Sequence, residues 1–140
     1  MKDLKVGLVG YSDAKYDEGI AKTLILIAMD LVEDNHEADE YKLVSGLTDL
    51  GIPGLGYKLA EKTGWKTVGF SAKEAKEYKC FPVDEEIIVG EKFGSESTAF
   101  INYIDVLIRI GGGKQTFDEV KMAKERGIAV YEFDLPEKQD

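Results

Sequence analysis

The sequence predicts an α/β fold in which a parallel sheet is covered by helices on both faces. Three observations carry that expectation. Short apolar runs alternate with stretches of helical periodicity along most of the chain. Several of those runs end in glycine, at Gly10, Gly46 and Gly111, as strands do when they turn into a helix. The 140 residues are 44% apolar, enough for a single domain over 1–140 with one buried core, and they contain no internal repeat or low-complexity linker.

The elements follow in order. Residues 5–10 form a short apolar strand, and the polar stretch 11–17 leads into a helix. Ile20, Leu24, Ile27, Ala28, Leu31 and Val32 recur at helical spacing, with Ala21 and Ile25 widening the face, which predicts a largely buried helix over about 17–33. A second strand spans 41–46, and the glycines and proline of 47–56 read as a loop. A helix over 57–63 stops at Gly64, as a left-handed cap would make it do, and 66–70 is a third strand. Ser71 and Glu74 are spaced as a capping box. A fourth strand lies near the end of 80–89, a helix runs through about Ile104, and 105–110 is the fifth strand. Val120, Met122, Ala123 and Lys124 belong to a helix ending at Gly127, and 128–133 makes the last strand.

Composition narrows the function. The net charge is −9, from 27 acidic against 18 basic residues, which argues against a polynucleotide partner. No stretch approaches the roughly 20 apolar residues of a membrane span, and residues 1–5 enter a strand, not a signal-peptide core, so a soluble cytoplasmic protein with no membrane partner is expected. Cys80 and His36 are the sole cysteine and histidine, which leaves no intrachain disulfide and little basis for a zinc cluster or a Ser-His-Asp triad. Cys80 reads as packing and His36 as a solvated imidazole. No metal site and no cofactor is assigned. Trp65 reads as packing at a strand start, and Tyr78, Phe81, Phe93, Phe100 and Tyr103 lack the periodicity of a stacking platform and read as core or interface.

The most informative segment is 106–119, where an apolar strand runs into Gly111, Gly112 and Gly113 and then into a helix start bearing Thr116 and Glu119. Glycines let backbone N–H groups approach a ligand, and the unpaired amides and dipole of a helix start favour an anion there. In a doubly wound sheet the carboxyl ends of the strands converge on one crevice, which brings Gly10, Gly46 and Gly111 to one rim.

This chain resembles the SLOG superfamily, which includes the Lonely Guy phosphoribohydrolases once described as lysine decarboxylases and has a Rossmann-like fold. The family signature Pro-Gly-Gly-x-Gly-Thr-x-x-Glu lies on residues 111–119, with Gly112, Gly113, Thr116 and Glu119 matched, Gly111 in place of Pro and Gln115 in place of Gly. Asp105 is similar to the family's Asp ahead of that signature, and residues 45–49 with Gly51 and Gly54 are similar to its second glycine-rich turn. The phosphoribohydrolases also pair the signature glutamate with an arginine in the preceding helix, and Glu96 stands at that place here. The resemblance further implies a homo-oligomer, for which the apolar stretch 100–104 offers a surface.

The leading expectation is a protein that binds a nucleotide or nucleotide-derived phosphate ligand at the loop 111–116. The alternatives are a nucleoside 5′-monophosphate phosphoribohydrolase using Glu119, and a non-catalytic protein-interaction domain. Thr116 and the amides of Gly111, Gly112 and Gly113 would hold phosphate, with Lys114 and Gln115 at the loop tip. Ser12 beside Gly10 would contact a ribose or base, and Thr48 or Asp49 beside Gly46 a sugar hydroxyl. Each has a plainer reading. Gly10 and Gly46 serve tight turns, Ser12, Thr48 and Asp49 cap turns or helices, Lys114 is solvated, and Thr116 with Glu119 forms a capping box.

Overall fold

The computed structural model describes residues 2–138. Six strands, β1 (Asp3–Gly10), β2 (Glu40–Ser45), β3 (Lys66–Ser71), β4 (Glu85–Ile88), β5 (Val106–Ile110) and β6 (Ala129–Phe133), form one sheet in the order β4-β3-β2-β1-β5-β6. Every pairing between named strands is parallel. The α-helices among the described residues are α1 (Glu18–Asn35), α2 (Gly51–Thr63), α3 (Ser97–Tyr103) and α4 (Lys114–Glu125), and a short 3-10 turn spans Lys73–Glu77. This is the Rossmann-like α/β architecture that the alternation of strands and helices predicts.

Strand alternation splits the core in two. Val6 and Leu8 of β1, Leu43 of β2, and Val106, Ile108 and Ile110 of β5 face α1 and α2. Val9, Val44, Val68, Phe70 and Leu107 face α3 and α4 on the other side. Both faces are apolar because both are covered, as a parallel sheet requires.

Several elements depart from the sequence expectation for identifiable reasons. α1 is capped by Asp17, whose side chain accepts the Ile20 N–H at 2.9 Å, but it buries Ala21, Ile25, Ala28, Met29 and Val32. Ile20, Ile27 and Leu31 stay exposed, because they fall outside the stripe of Ala21, Ile25, Ala28, Met29 and Val32 on which the helix rests. α2 begins at Gly51, six residues ahead of the expected start. Pro53 lies in its first turn, where a missing N–H costs nothing. Gly56 lets α2 press onto β1, since a Cβ there would sit 2.2 Å from the Leu8 side chain. Gly64 ends α2 at φ 83° as the sequence predicts. Ser71 closes β3 and caps nothing; Glu74 instead accepts the Phe93 N–H at 2.8 Å.

Phe100, Ile101 and Ile104 are buried in the chain's own core, so these apolar residues of 100–104 are not free to meet a partner copy. His36 is not simply solvated, for its Nε2 lies 3.0 Å from the Tyr131 hydroxyl. Trp65 packs on Tyr41 and donates to Glu33 at 2.7 Å. Among the described residues, no helix is long and apolar enough to cross a membrane.

Candidate functional site

Strand order reverses at β1. The chain steps outward from β1 through β2 and β3 to β4, then returns to the other side of β1 for β5 and β6. The connection after β1 climbs to α1 on one face and the connection after β5 to α4 on the other, so a crevice opens at their carboxyl ends. A cleft of about 660 Å³ lies there. Gly10 at the end of β1 and Ser12 beyond it, Ser45 at the end of β2 with Gly46 and Thr48 beyond it, Ser71 at the end of β3, and Gly113 to Thr116 after β5 all line it.

The three glycines of the loop divide their work. Gly111, at φ 62°, donates its N–H to the Phe133 carbonyl at 2.8 Å, and its own carbonyl accepts from Arg109 Nη1 at 3.0 Å. Arg109 is buried on β5, paired with Glu132 at 3.0 Å and Asp134 at 2.7 Å, and stacked on Phe117. Gly112, at φ 106°, turns the chain where a Cβ would lie 2.5 Å from the Thr116 side chain. Neither glycine lines the cleft, which corrects the expectation that all three amides face a ligand. Gly113 does line it, with open space where a Cβ would be.

Gly113 is also the N-cap of α4, with no side-chain cap bond. The first-turn amides of Lys114, Gln115 and Thr116 therefore have no intrahelical acceptor and lie at the cleft wall. Because α4 starts at Lys114, Thr116 and Glu119 lie inside the helix and form no capping box. Lys114 reaches along the helix to Asp118 at 2.8 Å and is highly exposed.

Glu119 is 8% exposed and lines the cleft with Glu96 and Asp13. Burial pushes its carboxyl up to about 7, the Glu96 and Asp118 charges add to the rise, and a Ser97 hydrogen bond opposes it. Glu96 holds the Gly94 N–H at 3.0 Å. The cleft thus has a helix start on one wall and acidic groups beside it, and Lys114 is the lone basic side chain lining it among the described residues. Among the described residues, no three His, Cys, Asp or Glu side chains gather as a metal-ligand set.

Asp49 is turned away: it lines a separate hollow between α1 and α2 and pairs with the exposed Lys79 at 3.7 Å. Asp105 lies at the opposite edge of the sheet, where it accepts the Lys5 N–H at 2.9 Å and joins the starts of β1 and β5. Beneath the cleft floor the buried Tyr57 hydroxyl accepts the Ser45 N–H at 3.1 Å and stands 2.9 Å from the Gly46 and Val68 carbonyls, fixing the end of β2. Tyr78 and Phe93, read from the sequence as core or interface, stand half-exposed on the cleft wall with ring centroids 5.7 Å apart. Their one sequence signal is position: each follows a strand, on the side where the connections reach the crevice.

No protein-family model matches the chain, and no curated protein sequence matches it. Solved structures do. The molybdenum cofactor binding protein from the phototrophic bacterium Rippkaea orientalis is 23% identical at a TM-score of 0.75, over 96% of this chain and 78% of that one. The molybdenum cofactor carrier protein from Chlamydomonas reinhardtii is 20% identical at a TM-score of 0.72, over 94% and 76%. TM1055, a structural-genomics target, is 23% identical at a TM-score of 0.69, over 91% and 72%. These similarities establish a shared Rossmann-like fold.

Proposed function

We propose that the protein is a SLOG-type binding protein that holds a nucleotide or nucleotide-derived phosphate ligand in the cleft, with the phosphate on the first turn of α4. The observation that carries this reading is the start of α4, where Lys114, Gln115 and Thr116, whose amides have no intrahelical acceptor, line a cleft of about 660 Å³ at the strand switch point. The neighbours named for the molybdenum cofactor support a small-molecule ligand on this fold and put that cofactor among the ligands to test.

Binding is favoured over cleavage by Glu96. It occupies the place where the phosphoribohydrolases carry an arginine, and its charge faces Glu119 instead of neutralising a phosphate. Glu119 keeps a second reading open, as the carboxylate that would activate water or stabilise charge on a ribose, because it lines the cleft with a pKa near the operating range.

Thermal unfolding with nucleoside mono- and diphosphates, nucleotide sugars and molybdenum cofactor tests the reading. A ligand at about 100 times its Kd stabilises by about 2.7 kcal/mol. Gly113→Asp is the control, since it places a carboxylate at the helix start while supplying a good N-cap. A shift present in the wild type and absent in Gly113→Asp supports the site. Silence across the panel favours an interaction domain, and release of free base from a monophosphate favours the hydrolase.

A further inference from the structure

Tyr78 and Phe93 are 52% and 46% exposed, yet they belong to the cleft. They come from separate connections, one after β3 and one after β4, and meet with rings inclined at 41°. Deeper in the cleft the wall is also aromatic, formed by the buried Phe70 and Phe100. An uncovered aromatic lip over an aromatic wall is a surface for a flat ring.

The polar groups beside that lip are acceptors. Phe93 and Glu96 share one connection, which the Glu74 carboxylate ties down through the Phe93 N–H and Glu96 through the Gly94 N–H. That leaves the second Glu96 oxygen, with Glu119 lining the same cleft, to meet a ligand. Ionised carboxylates accept and never donate, so they match a ring edge with neighbouring N–H groups and repel one that presents a bare nitrogen lone pair.

We propose that the cleft takes a planar ring stacked on Tyr78 and Phe93, whose 2-amino-4-oxopyrimidine edge, common to guanine and pterins, donates its adjacent N–H groups to Glu96 and Glu119. The inference rests on the cleft being the ligand site and names the ring that the phosphate reading leaves open. Adenine lacks this donor pair, and hypoxanthine retains a single N–H.

Calorimetric titration at pH 8 with guanosine, neopterin, inosine, adenosine and GMP tests it. Guanosine or neopterin should bind at least about tenfold more tightly than inosine or adenosine, and the tighter of the two identifies the source of the ring. The double variant Tyr78→Ala/Phe93→Ala should weaken that ligand about tenfold or more. Glu96→Gln should narrow the gap to inosine. Equal affinities for all four ring compounds, no binding of any, or an aromatic double variant that binds like the wild type would overturn the proposal. The phosphate reading is judged separately: it fails if GMP gains nothing over guanosine and Gly113→Asp has no effect, even where the ring preference holds.

Discussion

Glu119→Gln should stabilise this protein, and only at high pH. The carboxyl is buried at the cleft wall with the Glu96 charge near it, and its pKa rises from 4.5 to about 7. The sign follows from proton binding. Between those two values the folded state holds a proton that the unfolded state has lost, so stability falls as pH rises through the interval. Above pH 7 the full cost is present; below about pH 4.5 both states are protonated and it vanishes. One pKa unit corresponds to about 1.4 kcal/mol, so the cost at pH 8 is about 3 kcal/mol. Gln keeps the shape and the Ser97 partnership without the charge. Urea unfolding at pH 5 and pH 8 provides the assay: the variant should gain up to about 3 kcal/mol at pH 8 and little at pH 5. A variant destabilised equally at both values would refute the reasoning, since it would show a Glu119 carboxylate worth more as a polar contact than it costs as a buried charge.

Four further outcomes are expected. Gly113→Asp should leave the unfolding free energy unchanged or raise it by up to about 1 kcal/mol through its N-cap bond, while abolishing the ligand shift; destabilisation would mean that α4 is not capped there. Gly112→Ala should cost about 1–3 kcal/mol, because φ is 106° and the new Cβ meets Thr116 at 2.5 Å; unfolding curves matching the wild type would show that the loop relaxes freely. Arg109→Met should cost about 1–3 kcal/mol and speed amide exchange at Gly111, whose carbonyl loses its 3.0 Å donor; unchanged exchange would separate the arginine from the loop. Tyr57→Phe should cost about 1–3 kcal/mol by stripping the buried Ser45 N–H of its acceptor, and a neutral result in urea would mean that water replaces the hydroxyl.

Much of the site's address was written locally. Gly111 and Gly112 demand a turn after β5 because their backbone angles lie in the left-handed region, and a helix start must follow. What local pattern cannot say is which amides point outward. Gly111 gives its carbonyl to Arg109, two residues back, and its N–H to Phe133 of β6, and the second of these bonds exists only once the strands are side by side. Thr116 and Glu119 have capping-box spacing, but α4 already starts at Lys114, so both lie inside the helix and Glu119 belongs to the cleft wall instead of a cap. α1 shows the same limit. Its apolar residues cover more than one face, and only the sheet beneath decides that Ile25 goes in while Ile27 stays out.

The sequence by itself determined the alternation of strands and helices, because hydrophobic period and glycine stops act within a few residues. It also determined that an anion-favouring helix start follows β5. The tertiary structure alone decided the acidic and aromatic character of the cleft. Tyr78, Phe93, Glu96 and Glu119 come from different connections and from the helix α4, and they share a wall only because parallel strands direct their carboxyl ends to one edge of the sheet.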